Sequence, residues 1–296
     1  MTSKKYILKS ELLKIGDVIC TRDEKATSKL IRKALSCDYS HVLLYVADSS
    51  CIHADGDGVH SLNIQRLLHD HPEEFKILRH KVVGNLEEAA AIEFCKYARS
   101  KVGTEYSRRD AAKSGVARKI DRKLKIDSNY QFCSRLVAES FAASNLAIFD
   151  DATLCTPADI LDNRDFEEVK DAVREALPEE IEFADDESKD SISKQTKITN
   201  SILNDARAIF NTKKIQAIED LYIWVIDHPE SDEVISQLFA NSGYLTMWAD
   251  DVIKCPHRYF KTNYPSDDVI RVLNKEGLYR EKRWPNRMLR GLMKRE

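Results

Sequence analysis

The sequence has no apolar run approaching the roughly 18 residues of a membrane helix. Its longest candidates, residues 41–47 and 221–226, have the length of a strand or a buried helix segment. Nothing apolar follows the early lysines Lys4 and Lys5, so no secretory signal is expected. The seven cysteines form no C-x-x-C pair and no even framework, which suggests reduced thiols in a cytoplasmic protein rather than a disulfide scaffold. There is no Walker or dinucleotide glycine loop, no internal repeat and no low-complexity tract. Positive charge is not in excess either. A net charge of -3 and a pI near 6.3 argue against a generic nucleic-acid binder.

What is present describes a charged globular chain of 296 residues, 43% hydrophobic and 32% charged. That length allows one large domain or two ordinary ones. Residues 26–36 carry Leu30, Ile31 and Ala34 at helical spacing. A β-rich stretch follows: an apolar strand over 42–46, a turn, a strand over 51–54, the hairpin turn Asp55-Gly56-Asp57-Gly58, and a third strand from Val59. Residues 75–83 read as another strand and 86–100 as an amphipathic helix. Cys133 opens a helix to about Ser144, with Leu136, Val137, Ser140 and Phe141 as its buried face. Thr156-Pro157 has the form of a capped helix start. Residues 166–190 hold eleven acids against three bases and read as a linker or an exposed acidic helix. Residues 197–296 read as helical. One stripe is Ile202, Ala206, Ile209 and Phe210; another is Ile215, Ile218, Tyr222, Val225 and Ile226. The expected organisation is therefore a domain over 1–165, an acidic linker over 166–196, and a helical region over 197–296.

Three residues carry the chemistry. His41 and His53 lie on consecutive expected strands joined by a short turn, and adjacent antiparallel strands can set such residues side by side. One imidazole can then orient the other, as a catalytic triad requires. Cys133 is placed at the first turn of a helix, where the helix dipole favours a thiolate and a neighbouring imidazolium would lower the thiol pKa further. The thiolate is the nucleophile. First-turn backbone N–H groups, that of Cys133 included, could stabilise an oxyanion.

These pieces resemble a family. Gly16-Asp17-Val18-Ile19, Ser28 to Arg32, and Tyr39-Ser40-His41 with the strand after it look like the opening of permuted NlpC-type papain-like enzymes of the YiiX/YebB kind. Ile52-His53-Ala54 resembles the segment holding the third polar residue, and Gly103-Thr104-Glu105-Tyr106 the Gly-x-x-Tyr segment. Phe132-Cys133-Ser134 resembles the nucleophile helix, and Thr156 to Ile160 the trailing Pro-Asp element. The likeness covers roughly residues 11–165. It implies an α+β fold, an antiparallel sheet packed with helices, followed by the mostly helical C-terminal region. It also implies Cys133 as nucleophile, His41 as general base and His53 as orienting residue. No cofactor and no metal are expected, because no cofactor loop or metal-ligand spacing is found. Lecithin retinol acyltransferase-like enzymes share the order and the paired histidines. The chain departs from the pattern in three places: His53 where many members have Glu, Arg135 after the Cys-Ser, and a basic insert before Cys133.

The resulting expectation is a cysteine hydrolase forming an acyl-enzyme on a peptide, modified protein or lipid. Phospholipid-dependent acyl transfer and a non-catalytic binding module are the alternatives. Residues 108–125 hold eight bases against two acids and could meet an anionic partner, although a solvated segment is the simpler reading. The C-terminal tail is basic too, with Arg280, Lys282 and Arg283 among its residues. Asp48 reads as a turn residue that could orient a histidine. Tyr130 and Gln131 could help an oxyanion hole, though core or linker roles suit them better. Cys255 and His257 are too few ligands for zinc, and His60, His69, His71 and His80 show no metal-ligand spacing.

Overall fold

A computed structural model describes residues 4–47, 49–82, 88–119, 129–146, 148–247 and 249. Asp48, the end of the basic run beyond Lys119, Cys255, His257 and the basic tail lie outside the described residues. Internal contacts divide the chain into two units, Met1–Glu187 and Ser188–Glu296.

The first unit begins with β1 (Tyr6–Leu8), β2 (Val18–Thr21), α1 (Ala26–Leu35), β3 (His41–Ala47), β4 (Ser50–Asp55), β5 (Gly58–Asn63) and β6 (Phe75–His80). It continues with α2 (Glu88–Ser100), α3 (Arg108–Lys119), α4 (Cys133–Ala143), α5 (Pro157–Asp162), β7 (Phe166–Glu168), β8 (Val173–Glu175) and α6 (Pro178–Asp185). Six strands form one sheet in the order β5-β4-β3-β2-β6-β7, and each neighbouring pair in it is antiparallel. The mixed helix and antiparallel sheet expected from the sequence is what forms.

The sheet is covered on both faces, which explains why β3 reads as a continuous apolar run rather than an alternation. Val18, Cys20, Val42, Leu44, Ile52 and Val59 share one core with Phe94 of α2 and with Leu136, Val137 and Phe141 of α4. The residues between them, Ile19, Leu43, Tyr45 and Cys51, with Phe75 and Ile77, share a second core with Leu8 and Ala172. A period of two thus sorts successive side chains of one strand into two cores.

The second core corrects the expected linker. Within the acidic stretch, β7 pairs with β6 and β8 pairs with β1. Arg66 anchors the segment after β8 by donating to the carbonyls of Ala184 and Asp186 at 3.2 and 3.0 Å. The charges are solvated outer faces, while Ala172 and Ala176 point inward. The boundary between units falls after Glu187 instead of at 165.

The second unit holds α7 (Ser191–Phe210), α8 (Ile218–Asp227) and α9 (Asp232–Ser242). Asp190 caps α7 by accepting from the Ser193 N–H at 2.9 Å, and Asn211 ends it in the left-handed region. Ile202, Leu203, Ala206, Ile215, Leu221, Ile235 and Phe239 form its core. Two expected stripe residues of α8 differ: Tyr222 and Ile226 are exposed, and Leu221 takes the inward position. Ile209 of the α7 stripe is exposed as well. Among the described residues no helix is long and apolar enough to cross a membrane.

Candidate active site

His41 is the first residue of β3, and its surroundings are tied from several sides. The Ser40 N–H donates to the Thr21 carbonyl at 3.1 Å. The Ser40 hydroxyl lies 2.5 Å from the Ser28 hydroxyl of α1. Arg32, one turn along α1, donates to Ser28 Oγ at 3.1 Å. The serine and arginine of the Ser28–Arg32 motif therefore hold the chain that delivers His41.

His53 reaches the same place from β4. Its Nδ1 lies 2.9 Å from His41 Nε2, with the rings edge to face. Both imidazoles are held in the neutral form. Burial pushes His41 down to about 4, against a smaller upward pull from Asp55. Burial likewise pushes His53 well below its ordinary value, helped by His41 and His60. The Nε2 of His53 is buried and has no hydrogen-bond partner among the described residues.

Cys133 starts α4 after Phe132 in extended conformation, and the helix lies under the central strands in the core shared with Val42 and Cys20. Burial raises the Cys133 thiol, opposed by backbone N–H groups of Val42, Ser134 and Cys133 directed at the sulfur. The sequence placed Cys133 at a dipole-activated helix start with a depressed pKa. The position is as expected, but desolvation outweighs the helix terminus, so the resting group is a thiol. Val42 is the residue after His41, and it shares a core with Cys133, so α4 and the histidine strand meet there.

Gln131 does not face outward as an oxyanion donor. Its Nε2 donates to Glu139 Oε2 at 2.8 Å, and the Tyr97 hydroxyl donates to the same oxygen at 2.6 Å. Arg135 Nε donates to Glu139 Oε1 at 2.8 Å, and Arg135 Nη1 to the Tyr130 carbonyl at 3.0 Å. Arg135, unusual for its position by sequence, is thus the partner of a half-buried acid on its own helix.

Sequence reasoning missed two neighbours. His60 on β5 stands directly across from His53. Its Nε2 lies 3.0 Å from Asp55 Oδ1, and its ring centroid is 4.2 Å from that of His53. The signal was in the hairpin. A two-residue turn at Gly56 and Asp57 pairs Asp55 with Gly58, and counting back pairs His53 with His60. His53, Asp55 and His60 offer ligand atoms within 4.8 Å of one another. His69, His71 and His80 join no such group among the described residues.

A family model for permuted papain-like amidase enzymes of the YaeF/YiiX type matches residues 12–247. The chain belongs to this family. The papain-like amidase match covers most of the chain and extends through both units. Among solved structures, the chain is similar to one titled metalloprotein yiiX from Escherichia coli O157:H7. That match has 15% identity and a TM-score of 0.38, covering 56% of this chain and 98% of the other. No curated protein matches the chain. As a YaeF/YiiX-type amidase relative, the chain has a cysteine-hydrolase fold.

Proposed function

We propose that this protein is a thiol hydrolase that cleaves an amide or ester through an acyl-enzyme on Cys133. One observation carries the reading: His41 Nε2 lies 2.9 Å from His53 Nδ1, and Val42, the neighbour of His41, shares a core with Cys133 at the start of α4. Because His41 Nε2 is engaged by His53, its Nδ1 is the nitrogen that takes the thiol proton. As the proton moves, sulfur attacks the carbonyl carbon and a tetrahedral oxyanion forms. The first-turn N–H groups of α4 stabilise that charge. The imidazolium of His41 then protonates the leaving amine or alcohol, and the thioester remains. Water, deprotonated by His41, hydrolyses it and restores the thiol. His53 orients His41 throughout by accepting its Nε2–H on Nδ1.

The substrate carries an anionic group in this reading. Arg108 is exposed at the start of α3. Its guanidinium lies beside the β4–β5 hairpin, 3.7 Å from where a Cβ on Gly56 would sit. The six described cysteines are free thiols, which suits work in the reducing cytoplasm.

The test is alkylation with a chloroacetamide probe, followed by peptide mapping. Cys133 is expected to react before the other thiols, and His41→Ala to slow it by about a hundredfold or more, the range of general-base contributions. A panel of amides and esters then supplies turnover. A Cys133→Ala protein that remains fully active on the substrate found would overturn the reading.

A further inference from the structure

We infer that His53, Asp55 and His60 form a binding site for a first-row transition-metal ion of the Zn2+ class, and that the ion switches off the proposed thiol site by seizing its orienting histidine. The inference about the switch rests on the function proposed above; the binding site does not.

The donor set is of the right kind. Two imidazoles and a carboxylate suit Zn2+, Co2+ or Ni2+, and three protein ligands with water in the fourth position are a common arrangement for zinc. The donors converge because of backbone register. His53 and His60 are directly paired across β4 and β5, and Asp55 stands two residues beyond His53, on the same face. Their ligand atoms lie within 4.8 Å of one another. Asp55 has its Oδ1 occupied by His60 at 3.0 Å and by the Asp57 N–H at 2.9 Å, while Oδ2 lies 4.0 Å from His53 Nδ1. The Asp55 side chain is 40% exposed, so an ion has a path in from solvent.

A second observation points to a ligand. His53 is only 6% exposed, yet its Nε2 finds no hydrogen-bond partner among the described residues. A buried ring nitrogen left bare is unfavourable, and coordination is one way to satisfy it.

The effect on the site follows from tautomers, whichever nitrogen of His53 the ion takes. For His41 Nδ1 to accept the thiol proton, the His41 proton must sit on Nε2 and be donated to a bare His53 Nδ1. The His53 proton then sits on Nε2. An ion on His53 Nδ1 takes the lone pair that receives His41. An ion on His53 Nε2 binds the tautomer whose single proton has moved from Nε2 to Nδ1, since metallation of one nitrogen fixes the other as N–H. His53 then donates to His41 Nε2, which places the His41 proton on Nδ1, where it cannot act as the base. The first mode leaves His41 without its orienting partner and the second occupies its basic nitrogen with a proton; neither touches the sulfur.

The test uses the full chain, freed of metal with a chelator and titrated with Co2+ and Zn2+. One equivalent of Co2+ should bind with a nitrogen- and oxygen-ligand spectrum lacking a thiolate charge-transfer band, and equally in Cys133→Ala. His60→Ala and Asp55→Asn should each weaken Zn2+ binding at least tenfold by calorimetry. Saturating Zn2+ should slow alkylation of Cys133 at least tenfold in the parent protein and leave the His60→Ala rate unchanged. A thiolate spectrum, or Zn2+ binding unaltered by His60→Ala, overturns the site; the cobalt spectrum reads this in the parent protein even where a variant does not fold. Binding without slowed alkylation overturns the switch. The hydrolase reading is judged separately, by the His41-dependence of alkylation in chelator.

Discussion

Two neutral groups face the reaction at rest, and this sets the pH behaviour of the site. Burial pushes His41 down to about 4 and holds the Cys133 thiol above its ordinary range. The thiol and neutral imidazole therefore coexist from about pH 4 upward into the alkaline range. Alkylation of Cys133 should keep its His41-dependent rate as pH falls through 6.5, the ordinary histidine value, and lose it only toward 4. A loss centred near 6.5 would contradict the burial argument. The same shift has a stability consequence of definite sign. A histidine whose folded pKa is lowered stabilises the fold above its unfolded value and loses that contribution as pH falls toward the folded one. Thermal melts should therefore drop between pH 6.5 and 4, and less steeply in His41→Asn. His53 is a positioning residue in this scheme. His53→Asn puts a carbonyl oxygen near the position of Nδ1 and should keep activity within about tenfold, the range of one displaced orienting contact. His53→Leu should lose more of kcat than of KM. Equal loss in both variants would deny the orienting role. At this scale spacing made two placements legible: His41 and His53 meet across neighbouring strands, and Cys133 opens a helix. Burial was not legible, and it reversed the direction expected for the Cys133 thiol.

Among the elements, α4 decides where Cys133, the proposed nucleophile, sits, and it is fastened by a polar cluster around Glu139. Glu139 receives Arg135 from one turn earlier, Gln131 from the segment just before Cys133, and Tyr97 from α2. Glu139→Ala would leave Arg135, only 7% exposed, without its carboxylate partner. Breaking a buried pair in this way costs about 3–5 kcal/mol, to be read from the denaturant midpoint; a loss below 1 kcal/mol would show that the cluster holds little. The hairpin between β4 and β5 is the other decisive piece. Gly58 has φ +94, and a Cβ there would meet the Thr104 carbonyl oxygen at 2.7 Å. Left-handed strain alone makes Gly58→Ala destabilising by about 1–3 kcal/mol, and the clash must also push the 103–106 segment away. Helix and strand positions were largely readable from period and punctuation, as with the capping box of Thr156 and Asp159. The short strands β1, β7 and β8 were not. At three residues each they have no periodicity to detect, and their pairing partners lie far away in sequence.

For the molecule as a whole, the question is whether the proposed hydrolase site is complete within the first unit. Every large core cluster among the described residues stays on one side of the boundary at Glu187. The cores above and below the sheet end within the first unit, and the helical core lies wholly in the second. Each core is built from residues of one unit alone, and burial is the dominant favourable term in folding. Yet the family match runs on to residue 247, through the helices whose exposed apolar residues include Tyr222, Ile223 and Ile226. The two facts make different predictions for a chain ending at Glu187. If the core argument governs, the fragment folds cooperatively and labels at Cys133 with His41-dependence within about tenfold of the parent. That is the expected outcome, because His41, His53, Cys133 and the buried polar cluster around Glu139 all precede the cut. A fragment that folds by circular dichroism but has lost His41-dependent labelling would mean that the helical unit completes the site, and would overturn the expectation.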